Sequence, residues 1–479
     1  MKILSELLEN VKVQESHGNL DIHVSSLSLD SRIIEPNSIF VALKGNIVDG
    51  HIFIEEVIKK GVVVIVYENE LIEFKNGITY IKVSDSHDAI GIIASNFYNN
   101  PSRKLKLVGV TGTNGKTTTA TLLHQLFRSL GYKAGMMGTV VNKINDKSYE
   151  AIRTTPDSVS LNKLLAEMID DGCEYCFMEV SSHSVSEKRI SGLSFAGGIF
   201  TNLTLDHLDY HKTLENYAKA KKGFFDILPA TGFAIANIDD DKGEYMLSDT
   251  KAHKYTLSLK KEIDSLGNEV NFKERLETKL IGEFNIYNIL GIYATAILLG
   301  QDKEKVKITI RDLESVDGRF QYIKSKNGVI GIVDYAHTPD ALLNVLKTIN
   351  SLREPIQQDF SGAKIITVFG CGGDRDKSKR PIMARIGYDM SDILIMTSDN
   401  PRTEKPEDIL NDMQKGISLE DLDKVEIIID RHLAIERACG LAKNGDYILI
   451  AGKGHEKYQE INGMKSHFDD MEELEKYLN

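Results

Sequence analysis

The tightest constraint on this chain is Gly112-Thr113-Asn114-Gly115-Lys116-Thr117-Thr118, set between an apolar strand candidate, Leu105 to Val110, and a helix candidate beginning near Thr117. A glycine-rich turn with free backbone N–H groups, a lysine ammonium and a helix N-terminus converge there, which is what nucleotide phosphates need. The common form of such a loop, G-x-x-x-x-G-K-[ST], wants glycine at position 110, where this chain has Val110; Gly109 comes one place early. A surface Gly-Lys turn is the alternative. Against it stand the preceding strand, the Leu123, Leu126, Phe127 and Leu130 spacing of the following helix, and Gly131 at its end. The stretch reads as a triphosphate cradle.

A strand–loop–helix unit of this kind needs a sheet around it, and 479 residues suffice for two or three domains with their own cores. With 42% hydrophobic and 27% charged residues, the composition is that of a soluble globular protein. The first nine residues carry Glu6 and Glu9 where a signal peptide needs an unbroken apolar run, and Val62 to Val66 is far too short to span a bilayer. A cytoplasmic protein without membrane insertion is expected. The net charge of −12 argues against nucleic acid as a partner, so an anionic ligand must be gripped locally. Four cysteines in so long a chain point to a reducing compartment. Cys173 and Cys176 form a C-x-x-C with no second pair, which favours buried thiols over zinc or redox chemistry.

Residues 20 to 100 mix short strands with two helices; Phe53, Ile54, Val57 and Ile58 have helical spacing, and Val62 to Val66 reads as a buried strand. Asn99-Asn100-Pro101-Ser102 is a linker candidate, closing a first domain at residue 98. Strands Tyr175 to Val180 and Gly198 to Phe200 alternate with helices Leu161 to Met168 and Leu214 to Phe225, which implies a largely parallel sheet in residues 99–321. A fresh alternation follows Arg319. It has a helix at Ala341 to Ile349 and strands at Val329 to Val333, Ile365 to Phe369, Ile393 to Thr397, Val425 to Ile429 and Tyr447 to Ala451. This second doubly wound unit occupies 322–479, and its polar signatures follow strand ends: Asp334, Gly370 to Asp376, Asp399 to Arg402 and Gly452 to Glu456. One shared crevice is expected.

A triphosphate needs a divalent cation with hard ligands. Glu179 ends an apolar strand and reads equally as a metal ligand or a helix cap. Asp206-His207-Leu208-Asp209-Tyr210-His211 packs two acids and two histidines into six residues, which favours a metal or catalytic role over a solvated turn. Lys219, Lys221 and Lys222 read as a solvated basic face. Arg375, Lys377, Lys379 and Arg380 cluster beside Gly370-Cys371-Gly372-Gly373-Asp374, and Arg402 follows Asp399-Asn400-Pro401. Arginine suits bidentate carboxylate recognition while Asp and Asn meet an amine, so together these would hold a zwitterionic amino acid. Taken alone, Asp399 to Arg402 is an equally good plain turn.

Leu29-Asp30-Ser31-Arg32, Gly112 to Thr118, Arg153-Thr154-Thr155-Pro156, Glu179 to His183, Asp206 to His211, Gly282-Glu283-Phe284-Asn285-Ile286-Tyr287-Asn288, Asp334-Tyr335-Ala336-His337 and Gly452-Lys453-Gly454-His455-Glu456, in this order, resemble the Mur ligase family. These are ATP-dependent amide-forming enzymes of peptidoglycan synthesis, and the branch resembled is the one that adds the third amino acid. The resemblance covers essentially the whole chain, and it accounts for the short cradle, because the family uses this form.

What the resemblance implies is an α/β protein of three domains: an N-terminal uridine-nucleotide domain, a central P-loop ATPase-like domain with a parallel sheet, and a mobile C-terminal Rossmann-like domain. ATP would be held by residues 112–118 with Asn285, Asn288 and Asp334. UDP-MurNAc-L-Ala-D-Glu would meet Leu29, Ser31, Asn46, Ile47, Val48, Thr154, Thr155, Ser181, Glu187 and Arg189. Magnesium would meet Thr117, Glu179, His207 and Lys221, the last carbamylated by CO₂; Lys116, Lys221, His207 and Glu179 would be the catalytic set. Meso-diaminopimelate would be bound by Arg375, Asp399, Asn400, Pro401, Arg402, Gly452 and Glu456, with L-lysine or meso-lanthionine as alternative amino acids. The resemblance assigns no role to the loop Glu354 to Ala363, and a monomer is expected. A folylpolyglutamate-synthetase-like ligase and a non-enzymatic nucleotide switch are the rival readings.

Overall fold

The structure is a computed structural model that describes residues 1–45, 48–70, 73–260, 276–353 and 362–478. Asn46 and Ile47, and most of the loop from Glu354 to Ala363, lie outside the described residues.

Lys106–Thr111 is the strand that feeds the cradle, and it lies deep inside an eight-stranded sheet. The order is Lys147–Glu150, Val141–Ile144, Ala134–Met137, Tyr175–Glu179, Lys106–Thr111, Gly197–Phe200, Phe233–Asn237, His253–Leu257. From Ala134–Met137 onward the pairing is parallel; the first two strands form an antiparallel edge. A parallel sheet must be covered on both faces. Lys116–Ser129 and Glu283–Leu298 pack on one through Leu122, Phe127, Ile289 and Ile292. Ser158–Asp170 and Leu214–Asp226 pack on the other through Leu161, Leu165, Phe224 and Phe225.

This packing explains the glycine one place early. A Cβ on Gly109 would stand 2.4 Å from the Phe224 ring, so Gly109 makes room for a helix rather than for phosphate, and Val110 fills the core on the opposite face. The same packing corrects the lysine face: Lys219 is exposed, but Lys221 and Lys222 are buried, because the helix turns both toward the sheet and its loops.

The N-terminal sheet is five-stranded, ordered Val13–His17, Thr79–Val83, Val64–Tyr67, Ser38–Val41, Ser26–Ser28, parallel except at its first strand. Its helix Ser86–Phe97 docks on the central unit, where Ser191 Oγ donates to Asp88 at 2.8 Å and Lys188 pairs with Asp85 at 2.6 Å. The expected linker is packed rather than loose. Asn99 and Asn100 adopt left-handed φ of 61° and 51°, and Ser102 is buried, its hydroxyl accepting from Ser194 N–H.

The C-terminal sheet is six-stranded, ordered Gln321–Lys324, Ile330–Asp334, Tyr447–Ala451, Ile365–Phe369, Ile393–Met396, Val425–Ile427. All but the first strand are parallel, so Asp334, Gly452, Gly370 and Asp399 leave neighbouring strands at the same end, as expected. Helices Lys379–Met390, Pro406–Gln414, Arg431–Leu441 and Asp470–Leu478, which periodicity passes over, complete the layers. Cys173, Cys176 and Cys371 are buried free thiols, and burial pushes all three thiol pKa values up.

Candidate active site

The cradle is pinned by the neighbouring strand end. Thr113 N–H donates to Asn202 O at 2.8 Å, Asn114 N–H to Asn202 Oδ1 at 2.9 Å, and Thr201 Oγ1 donates to Asn114 O at 2.6 Å. Gly112, at φ 152°, leaves only 1.9 Å between its would-be Cβ and Thr201 Oγ1, so no side chain fits. Gly115, at φ 85°, starts helix Lys116–Ser129 without a side-chain cap, leaving the first-turn N–H groups for a ligand.

Two lysines converge on one carbonyl. Lys116 Nζ donates to Gly112 O at 2.9 Å and Thr113 O at 2.7 Å, and Lys221 Nζ donates to Gly112 O at 2.7 Å while lying 4.5 Å over the Tyr217 ring. Burial lowers the pKa of Lys116, against the pull of Glu179 and Asp206. Burial and then the Lys116 charge push Lys221 well below its ordinary value, which favours its neutral amine over the ammonium.

Buried Glu179 accepts from Thr117 Oγ1 at 3.0 Å and from Thr139 N–H at 2.8 Å. Burial takes His207 down to about 4, against Asp206 beside it, so the imidazole is neutral at pH 7. Asp206 is held below the usual carboxylate range, burial being outweighed by His207, His337 and Lys379. A carboxylate, a hydroxyl and a neutral imidazole fit a hard divalent cation if phosphates, water or a carboxylated Lys221 complete the shell. Among the described residues no cluster of three or more His, Cys, Asp or Glu is set for a metal, so the fit rests on this mixed set.

The facing wall comes from the C-terminal sheet, and with the cradle it encloses one cleft of about 520 Å³, the size of a substrate site rather than an ion site. Arg375, Asp399, Asn400, Arg402, Gly452 and Glu456 line it. Asn400 Nδ2 donates to Glu456 Oε2 at 2.7 Å, and buried Lys453 donates to Asn400 Oδ1 at 3.0 Å. Burial, then Asp399, raises the Glu456 pKa against Lys453. Two guanidinium groups and two carboxylates thus share a wall, matching both ends of a zwitterion.

Thr154, Thr155, Ser181 and Arg189 form the third side. Thr155 Oγ1 donates to Glu179 O at 2.8 Å, Arg189 Nη1 to Thr155 O at 2.9 Å, and Arg189 Nε to Glu187 at 2.8 Å. Glu187 therefore meets the cleft through Arg189 and is not itself part of its lining. Several expected contacts stand apart from the cleft. Leu29, Ser31 and Val48 sit on the N-terminal unit; Gly112, Thr118 and Pro401 lie behind the lining. Asn285, Asn288 and Asp334 are buried, with Asn288 Oδ1 accepting from Thr119 Oγ1 and Asp334 from Phe320 N–H at 2.7 Å. Burial raises Asp334 to about 6, against Arg319.

The sequence offers no reason to place Arg319 at the site, and it marks His337 only within a family motif and Lys379 only within a basic cluster; all three line the cleft. Arg319 bridges the two halves: its Nη2 donates to Thr117 Oγ1 at 3.2 Å, and its guanidinium lies 4.5 Å over Tyr335. Lys379 donates to His337 O at 2.8 Å, and the His337 ring nitrogen Nδ1 sits 2.9 Å from Tyr335 O. A lone cation before a strand, used above only as a boundary, carries no local signal; only domain docking brings it to the cradle.

Three family models match successive parts of the chain: the Mur ligase family catalytic domain at 23–98, the Mur ligase middle domain at 110–296, and the Mur ligase glutamate ligase domain at 318–454. The chain is 50% identical to a UDP-N-acetylmuramoyl-L-alanyl-D-glutamate--2,6-diaminopimelate ligase of Bacteroides thetaiotaomicron, covering 100% of each chain. It is 52% identical to the protein of that name from Cytophaga hutchinsonii, covering 98% of this chain and 97% of the relative. A solved structure with the same name superposes with a TM-score of 0.68 at 31% identity, over 100% of this chain and 98% of that one. A Mycobacterium tuberculosis folylpolyglutamate synthase complexed with ADP and AMPPCP shares the fold with a TM-score of 0.58 at 15% identity, over 76% of this chain and 92% of its own. On this evidence the chain belongs to the Mur ligase family.

Proposed function

We propose that this chain joins meso-diaminopimelate to UDP-MurNAc-L-Ala-D-Glu in peptidoglycan precursor synthesis, with ATP converted to ADP and phosphate. The carrying observation is the cleft itself: a phosphate cradle with Lys116 and the buried Lys221 faces a wall bearing Arg375, Arg402, Asp399 and Glu456. Full-length relatives at 50% and 52% identity carry the matching name.

The γ-carboxylate of D-Glu attacks the γ-phosphorus of ATP, and an acyl phosphate forms as ADP leaves. Lys116 and the first-turn N–H groups of helix Lys116–Ser129 face the charge that develops on the transferring group. The incoming amine then adds to the acyl carbon, and phosphate leaves from the tetrahedral intermediate. Arg375 and Arg402 hold the amino acid for that attack. Thr117, Glu179 and His207 would hold magnesium, which supplies charge neutralisation at the phosphates. The Lys221 amine, once it has given up its ammonium proton, adds to CO₂ and loses a second proton, giving a carbamate that would complete this set. Thr154, Thr155, Ser181 and Arg189 orient the dipeptide end of the nucleotide, whose uridine half belongs to residues 1–98. Residues 99–321 and 322–479 supply the two walls and close on each other before chemistry, keeping water from the acyl phosphate. The enzyme works as a cytoplasmic monomer; no described helix is long and apolar enough to cross a membrane.

The distal carboxylate of diaminopimelate gives Arg402 a partner that lysine lacks, whereas meso-lanthionine would satisfy the same groups. Phosphate release is measured with UDP-MurNAc-L-Ala-D-Glu and diaminopimelate, lanthionine, lysine or ornithine in turn, and with a folate in place of the UDP substrate. Preference for diaminopimelate is expected. Preference for lysine, or turnover only with the folate, would overturn the assignment.

A further inference from the structure

Arg380 is among the largest fully buried side chains of the described residues, and it is not itself part of the cleft lining. Its guanidinium binds both oxygens of Glu404, through Nη2–Oε1 at 2.9 Å and Nη1–Oε2 at 3.1 Å, and also Asp412 Oδ2 at 3.0 Å and Gly372 O at 3.2 Å. Glu404 Oε1 in turn accepts from Asp374 N–H at 2.6 Å, and Oε2 pairs with Lys377 at 2.9 Å. Arg380 and Glu404 therefore join two separate loops: 370–376, which carries Arg375, and 399–404, which carries Arg402.

The same two loops are tied again above the pair. Arg402 Nη1 donates to Gly373 O at 2.8 Å, Gly373 N–H to Asn400 O at 2.9 Å, and Thr403 Oγ1 to Asp374 Oδ1 at 2.8 Å. The approach is so close that a Cβ on Gly373 would stand 1.8 Å from Pro401 O. Asp374 and Arg402 are both held at left-handed φ, 54° and 53°, a conformation that side chains other than glycine adopt only when surroundings impose it. Burying the Arg380 charge costs desolvation that its attraction to half-buried Glu404 need not recover, so such a pair is weak evidence for stability. Its geometry is informative: a rigid planar fork reads the separation of the two loops at both of its ends.

We propose that Glu404, through Arg380, is a positioning residue that sets the spacing of Arg375 and Arg402 and thereby the selection of an amino acid with a second carboxylate. This rests on the reading of that wall as the diaminopimelate site. Glu404 does not touch substrate. It acts by clamping the loops, while Asp412 meets the same guanidinium from helix Pro406–Gln414.

The test compares E404Q with D412N in the intact protein, measuring KM and kcat for each substrate and the ratio of diaminopimelate to lysine turnover. E404Q raises the KM for diaminopimelate about tenfold or more, since a misplacement of about 1 Å at a positioning contact costs up to about two decades. KM values for ATP and the UDP substrate stay within about twofold, and the preference over lysine shrinks. D412N leaves all three KM values and the preference in place. If E404Q does not fold, T403V, which cuts the exposed tie to Asp374, carries the test with a smaller shift in the same KM alone. Wild-type turnover on diaminopimelate with unchanged KM in E404Q, or in T403V when that carries the test, overturns the clamp while leaving the functional reading intact. An equal shift in D412N reduces the pair to a structural role. Absence of wild-type turnover on diaminopimelate overturns both.

Discussion

The two walls of the cleft use their cations in opposite ways. On the cradle side, Lys116 and Lys221 are bonded to backbone carbonyls, and neither has an ion-pair partner among the described residues. On the amino-acid side every buried cation is paired: Arg380 with Glu404 and Asp412, Arg431 with Asp470 at 2.7 Å, and Lys453 with Glu456 at 3.4 Å. Unpaired cations leave their potential for an incoming polyanion and lower one another's proton affinity. Paired cations spend theirs on geometry: Arg431 also donates to Ser398 O and Ala451 O, fastening two strand ends just below Asp399 and Gly452. The cradle is thus built to meet charge, and the opposite wall to hold a shape.

The sharpest way to break that contrast is at Lys116. Lys116→Ala should abolish ADP formation, a loss of about a thousandfold or more for a group aimed at developing charge. Ligase turnover that persisted would take the cradle out of the chemistry. Lys221→Ala should be nearly as damaging, yet partly restored by a small added carboxylate, because the missing group in the proposed reaction is an anion. A fully active wild-type protein whose intact mass carries no added CO₂ would defeat that idea. Arg402→Ala should act on one substrate only, raising the KM for diaminopimelate about a hundredfold, within the range for losing one partner of a buried charged contact, while ATP binding is spared. Equal losses for both ligands would make Arg402 a scaffold residue.

Stability measurements sharpen the contrast on a smaller scale. Gly109→Ala should cost about 1–3 kcal/mol through overpacking against Phe224, read as a lowered denaturation midpoint. On the other wall, the Arg380 hydrogen bond, aided by Lys377 and opposed by burial, holds Glu404 at about 2 rather than 4.5. A depressed carboxylate stabilises the fold above its unfolded value and loses that contribution as pH falls through the folded one. The unfolding midpoint should therefore drop as pH falls from about 4.5 to about 2, more steeply in the wild type than in E404Q. Parallel acid limbs would show that the pair contributes nothing to the pH dependence.

Legibility followed distance along the chain. Gly112 to Thr118 is a local object, and its strand, turn and helix were readable because the three follow one another directly along the chain. The alternation after Arg319 was equally readable, and it carried Asp334, Gly370, Asp399 and Gly452 to one sheet edge by topology alone. Lys221 was not readable from composition: Lys219, Lys221 and Lys222 look alike in sequence, and only the rotation of their helix against the sheet exposes one and buries two. Arg319 had no local signature, since its contact with Thr117 arises between domains. Gly109, one place too early for the phosphate loop, had no reason visible in the sequence; its reason is a phenylalanine more than a hundred residues on.

By itself the sequence determined the strand–cradle–helix unit, the parallel alternation, the order of the polar strand ends and the family, because hydrophobic period and turn chemistry act over a few residues. Tertiary structure alone decided which lysine is desolvated, which arginine reaches the cradle, and how far apart Arg375 and Arg402 are held. Those are properties of dielectric and distance, and both depend on what packs alongside from remote parts of the chain.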